Sequence, residues 1–150
     1  MRLYLVQHGE AMSKDENPER PLTAKGRENV TKTAKFLKKK GIRVRKIFHS
    51  TKLRAKQTAQ IIASLLGCEL QEEKDLEPLA DPSIWAKKIR SMNEDIMIVG
   101  HLPHLGALAS LLLCGESKEI LRFYMGGVVC LEKEENWKLL FSIPPEFMDE

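Results

Sequence analysis

The stretch Leu3–Glu10, which reads LYLVQHGE, sets how the rest of the chain can be arranged. Four apolar residues in a row are typical of a strand that is covered on both faces, as in a parallel sheet. His8 follows where this strand should end, and Gly9 lets the backbone turn sharply beside the imidazole. Ligands of open α/β sheets bind at the carboxyl ends of strands, so His8 is either a functional residue or simply a histidine that ends a strand.

The same pattern returns near the end of the chain, where the apolar run 96–99 is followed by Gly100 and His101. Between the two, a strand over 44–48 leads through a turn into a helix predicted over 52–66.

Arg54 lies in the first turn of this helix, where a cation opposes the helix dipole. A bound anion would explain its presence there, and a solvent-facing arginine is the alternative. Because the carboxyl ends of parallel strands open on one side of a sheet, we expect His8, Arg54 and His101 to meet.

The remaining pattern alternates helices with short strands and ends in a hairpin. Strands that alternate with helices predict an α/β fold of three layers, α/β/α, with a mostly parallel central sheet. The length suits a single domain over residues 1–150. The other predicted elements are a helix from Thr23 to Lys40 closed by Gly41, a strand over 68–71, a helix over 83–92, a helix from Leu105 to Gly115, and strands over 128–132 and 137–143.

Composition excludes several classes of protein. The net charge of +3 is too small to indicate nucleic-acid binding, and the triplet Lys38–Lys40 suits a solvated helix end. The sequence contains neither an apolar run long enough for a membrane span nor a signal-peptide pattern, so we expect a cytoplasmic protein. Cys68, Cys114 and Cys130 suggest neither a disulfide framework nor a zinc site, and we expect them to be small core residues.

The expected cluster of two histidines and an arginine could hold a metal or an anion. Only two metal ligands are evident unless His104 or a loop carboxylate joins them, and Arg54 would repel a cation. A phosphate dianion fits better, because neutral His8 could attack phosphorus while Arg54 and a protonated His101 stabilise the equatorial oxygens. We interpret His49 as a strand-end residue and His104 as a first-turn helix residue rather than as ligands.

Four segments resemble the histidine phosphatase superfamily, also called the phosphoglycerate mutase-like family, and most of all its SixA-type phosphohistidine phosphatases. They are Gln7–Ala11, Arg20–Gly26, Ser50–Ala59 and Gly100–Pro103.

This resemblance implies a small phosphoglycerate mutase-like fold without lid insertions, and a phosphatase that uses neither metal nor cofactor. It implies a covalent phosphohistidine on His8, with Arg54 and His101 as the other catalytic residues. The phosphate-binding residues that it implies are Gln7, Arg20, Ser50, Arg54 and His101.

Gln7 departs from the family motif, which has an arginine at this position. Glutamine still donates an amide N–H, but it brings neither charge nor a bidentate fork. The alternative interpretation of Gln7 is a pocket in which Arg20 takes over that charge. Two functions follow: an active phosphohistidine phosphatase, or a degenerate phosphate-binding regulatory module with little turnover.

The chemistry of the leaving group indicates the class of substrate. A phosphate ester leaves an alkoxide that needs an acid, whereas phosphohistidine leaves imidazole, whose conjugate acid has a pKa of about 6.5. Glu10, Glu77 and Asp81 are the candidate acids, and for Glu77 and Asp81 a turn-forming role is the simpler interpretation. We therefore expect a phosphorylated protein partner, such as a histidine phosphotransfer domain, with a small-molecule phosphomonoesterase as the alternative.

Overall fold

The computed structural model describes residues 1–148, which form one six-stranded sheet with α-helices on both faces. The strands are β1 (Arg2–Gln7), β2 (Lys46–His49), β3 (Glu69–Glu72), β4 (Ile96–Gly100), β5 (Val128–Lys133) and β6 (Trp137–Ile143). The helices are α1 (Ala24–Lys39), α2 (Leu53–Leu66), α3 (Pro82–Arg90) and α4 (His104–Cys114), with short 3-10 turns at Lys74–Leu76 and Pro145–Phe147.

The strand order is β3-β2-β4-β1-β5-β6, in which the first four strands are parallel and the last two form an antiparallel hairpin at one edge. This arrangement confirms the predicted three-layer α/β fold. Gln7 of β1 lies opposite Gly100 of β4, and His49 of β2 lies opposite Val99. The ends of β1, β2 and β4 therefore coincide at one edge of the sheet.

The alternation of side chains along β1 divides the core into two layers. Leu3 and Leu5 pack with residues of α3 and α4, and Tyr4 and Val6 pack with residues of α1 and α2. Each fully buried leucine or valine stabilises the fold by about 1.5–3 kcal/mol relative to an exposed one. Both layers use β1, so the strand that ends at His8 is held from either side.

The helix ends follow the local sequence. The hydroxyl of Thr23 accepts a hydrogen bond from the backbone N–H of Gly26 at 2.9 Å, which caps the start of α1. Gly67 closes α2 with φ of 71°, a left-handed conformation that glycine adopts without steric cost.

Two expectations from the sequence differ from the structure. Strand β2 begins at Lys46 rather than at residue 44, because its parallel partner β3 starts opposite Lys46. Of the cysteines, only Cys130 is a core residue: Cys68 is half-buried and Cys114, at the end of α4, is exposed. Within residues 1–148 no helix has the length and apolar character that crossing a membrane requires.

The close packing of α1 against the loop after His8 can be tested at Gly26, with a glycine of another helix, Gly106, as the comparison. A Cβ at Gly26 would overlap the backbone carbonyl oxygen of Glu10, whereas a Cβ at Gly106 in α4 would come no closer than 3.7 Å to a Leu102 methyl. We expect Gly26→Ala to lower the free energy of unfolding by about 1–3 kcal/mol through overpacking. Gly106→Ala should raise it by up to about 1 kcal/mol through helix propensity.

Urea denaturation of the two variants and the parent protein measures both effects. Equal stability of the two variants would show that the Glu10 loop moves aside without cost.

Candidate active site

Three polar side chains follow directly after the coincident strand ends. His8 follows β1, Ser50 follows β2 and His101 follows β4. The backbone N–H of His8 donates to the Gly100 carbonyl at 3.0 Å, so the sheet pairing continues into the site. The ring centroids of His8 and His101 are 5.0 Å apart, and the structure thus places the two imidazoles side by side.

The protonation of His8 follows from its contact with the next residue. Its Nδ1 lies 2.7 Å from the Gly9 carbonyl oxygen, which can only accept a hydrogen bond. Nδ1 therefore carries the proton, and Nε2 keeps a lone pair. Burial lowers the pKa of His8 to about 4, and the charges of Arg54 and Arg20 act in the same direction. The imidazole is neutral at pH 7, which is the nucleophilic form.

His101 is oriented by Ser50. The Ser50 hydroxyl oxygen lies 2.5 Å from Nε2 of His101, and it also accepts a hydrogen bond from the backbone N–H of Lys52 at 3.3 Å. Nε2 of His101 is thereby occupied by Ser50, and Nδ1 is the other hydrogen-bonding atom of the ring. That Nδ1 is buried and has no hydrogen-bond partner within residues 1–148.

The charge of His101 differs from the sequence expectation of a protonated ring. Burial lowers the pKa of His101 to about 3, and the neighbouring His8, Arg54 and Lys52 add to the effect. The ring is therefore neutral at pH 7. A phosphate dianion beside it would oppose these effects and raise its pKa.

Two guanidinium groups lie near the histidines. The Nε of Arg54 is buried and has no hydrogen-bond partner in the described part of the chain, and burial together with the nearby Arg20 lowers the pKa of Arg54. No side chain caps the start of α2, where Arg54 is located. An anion placed there would neutralise two like charges and use the free N–H groups of the helix.

Arg20 reaches this region from an unusual backbone conformation. Its φ of 52° lies in the left-handed region, which is uncommon for a residue with a side chain. The Nε–H of Arg20 donates to the Met12 carbonyl at 2.9 Å, which orients the guanidinium. Its charge contributes to the lowered pKa values of both His8 and Arg54.

Thr58 is a residue to which the sequence reasoning gave no role. Its hydroxyl accepts a hydrogen bond from the backbone N–H of Gly9 at 3.0 Å and donates to the Arg54 carbonyl at 2.8 Å. It therefore ties the turn after His8 to the first turn of α2. The position of Thr58 one helical turn after Arg54 is the sequence signal that could have indicated its hydrogen bond to the Arg54 carbonyl.

Gln7 ends β1 on the face that also carries Leu3 and Leu5. Its backbone lies between Gly100 of β4 and Met125, and its side chain is half-buried. The Gln7 amide makes no hydrogen bond within the described residues.

The three candidate acids are placed differently. Glu10 accepts a hydrogen bond from the Thr23 hydroxyl at 2.8 Å. Asp81 caps α3 by accepting from the N–H and hydroxyl of Ser83, contacts that lower the pKa of this carboxyl.

Glu77 accepts from the Thr51 hydroxyl at 2.6 Å and lines a cavity of about 1070 Å³ together with Arg20 and Arg54.

His49 and His104 lie outside the pair formed by His8 and His101. His49 is the last residue of β2, with its Nδ1 2.8 Å from the Ser50 carbonyl oxygen. His104 is the first residue of α4 and is 1% exposed, and neither ring nitrogen has a hydrogen-bond partner within residues 1–148. The described residues contain no group of three or more histidine, cysteine or acidic side chains arranged to hold a metal ion.

Comparison with known proteins decides the family. The family model of the histidine phosphatase superfamily (branch 1) matches residues 3–79. The chain belongs to the histidine phosphatase superfamily. An uncharacterized protein of Picosynechococcus sp. is 32% identical over 139 residues, which cover 87% of this chain and 84% of that protein.

A second superfamily member, the phosphohistidine phosphatase SixA of Escherichia coli strain K12, is 23% identical over 152 residues, covering 97% of this chain and 94% of SixA. The solved structure of the protein histidine phosphatase SixA complexed with tungstate superposes with a TM-score of 0.89 at 22% identity. The superposition covers 99% of this chain and all of that one (100%). The fold of this histidine phosphatase superfamily member is thus that of SixA.

Buried neutral histidines make the stability of this superfamily member depend on pH. Burial lowers the pKa of His104 to about 4, although Asp81 and Asp75 oppose the effect, whereas an unfolded histidine titrates near 6.5. As the pH falls from 6.5 to 4, the unfolded chain binds a proton that the folded chain does not, so stability is lost by at most about 1.4 kcal/mol per pH unit for this residue. His8 and His101 act with the same sign.

We expect His104→Phe to lose less stability than the parent protein between pH 6.5 and pH 4. Urea denaturation at several pH values gives the free energy of unfolding of the variant and of the parent protein as a function of pH. The difference between the two proteins at pH 7.5 reports only the changed packing. Parallel curves below pH 6.5 would show that His104 is protonated in the folded protein.

Proposed function

We propose that this protein hydrolyses phosphohistidine on a protein partner through a covalent phosphohistidine intermediate on His8. One observation carries the proposal: neutral His8 has a free Nε2 lone pair, its ring lies 5.0 Å from that of His101, and Nδ1 of His101 and Nε of Arg54 are buried without partners in the described residues. A nucleophile near unpaired nitrogens suits transfer of a phosphoryl group. Membership of the superfamily supports phosphatase activity, and the partner class is our inference.

The reaction takes place in two steps. His8 Nε2 attacks phosphorus, the bond between phosphorus and the substrate imidazole breaks, and the leaving imidazole keeps the electron pair and takes a proton from water. A water molecule then attacks the phosphoryl group on His8 and releases inorganic phosphate and neutral His8. In both steps Arg54, Arg20 and His101 stabilise negative charge on the equatorial oxygens.

The arrangement of carboxylates favours a good leaving group. Of the three candidate acids, Glu10 and Asp81 serve as hydrogen-bond acceptors near helix starts, and only Glu77 lines the cavity beside the site. The alkoxide that leaves an ester substrate requires a general acid to protonate it. The imidazole that leaves phosphohistidine depends much less on acid catalysis. This difference favours phosphohistidine over a small phosphate ester, and within that class a phosphotransfer domain is the partner that we propose.

The charges near His8 also bear on cofactors. Arg20 and Arg54 would repel a divalent cation at the position where the phosphoryl group must lie, so we propose a metal-independent reaction. Tungstate, bound in the SixA structure, is an oxyanion like phosphate, which supports an anion site here. Three free cysteines suit a reducing compartment, and we propose that the protein acts in the cytoplasm.

Trapping the intermediate tests the proposal. A histidine phosphotransfer domain carrying labelled phosphohistidine is mixed with the protein and the reaction is stopped by denaturation in alkali. We expect label on His8, stable to alkali and labile to acid, because a histidine nucleophile forms a phosphoramidate. His8→Ala should abolish both labelling and turnover, and His104→Phe serves as the control variant that removes a different buried histidine.

Label on Ser50 or Thr51, or turnover that survives His8→Ala, would overturn the assignment of the nucleophile. Activity that is lost in a chelator and restored by a divalent ion would instead favour a metal-dependent reaction.

Gln7 supports a second candidate function, a phosphate-binding regulatory module with little turnover. We expect Gln7→Arg to add a charged donor near the phosphoryl group, and one preorganised donor changes the rate by about 10²–10³. For an active enzyme, the parent protein already hydrolyses phosphohistidine, and the variant gains mainly on an alkyl phosphate ester, whose alkoxide is the poorer leaving group. For a binding module, turnover appears only in the variant.

Kinetics on both substrates are paired with phosphate binding by calorimetry and with the melting temperature, which reports whether the longer side chain fits. A folded Gln7→Arg protein with unchanged turnover and unchanged phosphate binding would show that position 7 does not face the phosphoryl group.

A further inference from the structure

Exposed apolar side chains cluster around the candidate active site. Leu102 follows His101 directly in the chain and is 42% exposed, and Met125, which pairs with Gln7 through its backbone, is 46% exposed. Ile120 is 47% exposed and lines the same groove as Leu102. These three residues, which we call the apolar rim, adjoin the segments that carry Gln7 and His101.

The groove beside the rim is large enough to receive protein side chains. It has a volume of about 750 Å³ and lies between the start of α4 and the segment 117–123. Its walls include Gly106 and Ala107, and the space outside Gly106 is open except for a Leu102 methyl. Small residues on α4 therefore leave an apolar depression next to the loop that carries His101.

A second surface of the site, which we call the cationic side, is the cavity lined by Arg20 and Arg54. Four lysines also line this cavity, so its lining contains six cationic and four acidic residues. The lysines are Lys14, Lys52, Lys56 and Lys74. On the apolar side, Lys118 and Arg122 line the groove with a single acid, Glu119. Both sides thus favour a partner surface with acidic side chains.

We propose that the apolar rim and the cationic side together form the docking surface for the protein that carries the phosphohistidine, an inference that rests on the function proposed above. His8 is 9% exposed, so the phosphorylated side chain of the partner must reach into the site. The partner surface around that side chain then contacts the rim. The occupant is a protein face with apolar side chains beside the phosphohistidine and acidic side chains on the other flank. A small phosphate compound would leave the exposed rim unused, whereas exposed apolar side chains beside a buried site suit contact with a protein face.

Comparing a protein substrate with the free amino acid separates docking from chemistry. The probes are an isolated histidine phosphotransfer domain, phosphorylated with phosphoramidate, and free phosphohistidine, which contains the same scissile bond. We expect the double variant Ile120→Asp/Met125→Asp to raise KM for the protein substrate at least about tenfold, as loss of interface anchors does. Its kcat/KM for free phosphohistidine should change less than about twofold.

The matched control is Leu139→Asp on β6, a leucine that is 45% exposed and lies outside the groove and the cavity. It should change neither parameter. A charge variant, Lys56→Glu, should raise KM for the acidic protein substrate and weaken its dependence on salt.

Each outcome separates the two proposals. If the parent protein hydrolyses both probes and the rim variant keeps its KM for the protein substrate, docking is overturned and the phosphatase function stands. Equal losses on both probes would also overturn docking, because the substitutions would then disturb the site itself. If the parent protein hydrolyses neither probe, the proposed function fails, and the docking surface fails with it.

Discussion

The in-register parallel pairing of β4 with both β1 and β2 is the constraint on which the site depends. Gln7 lies opposite Gly100 and His49 opposite Val99, so the residues that follow these strands emerge at the same level. A shift of one residue would turn each side chain to the other face of the sheet. The two apolar layers that hold β1 from either side therefore also fix the distance between His8 and His101.

This edge of the sheet gathers groups that destabilise one another. Arg20 and Arg54 repel, Arg20 has a left-handed backbone, and two buried nitrogens, Nε of Arg54 and Nδ1 of His101, lack partners within the described residues. Thr58 and Ser50 hold the arrangement through hydrogen bonds to Gly9 and His101. An anion at this edge would offset the repulsion between the two arginines and give the unpaired nitrogens a partner, which supports the anion site proposed above.

The sequence predicts the positions of His8, Arg54 and His101 because strand ends and helix starts are local signals. It also predicts the start of α1 at Thr23, because the capping hydrogen bond of this residue spans only three residues. The contact between Ser50 and His101 joins residues 51 apart and needs the register of β2 on β4, which no local pattern contains. The neutral state of His101 depends on burial by distant elements, and for this reason the expectation of a protonated ring differs from the structure.

The hydrogen bond between His8 Nδ1 and the Gly9 carbonyl has a consequence for regiochemistry. Since Nδ1 is occupied by its proton, only Nε2 can accept a phosphoryl group, and the covalent form proposed for this protein is the Nε2-linked isomer. The two isomers of phosphohistidine differ in their phosphorus chemical shift and in their rate of hydrolysis. In the proposed intermediate a backbone carbonyl would thus dictate which isomer forms on His8, and no side-chain substitution around the site removes that carbonyl.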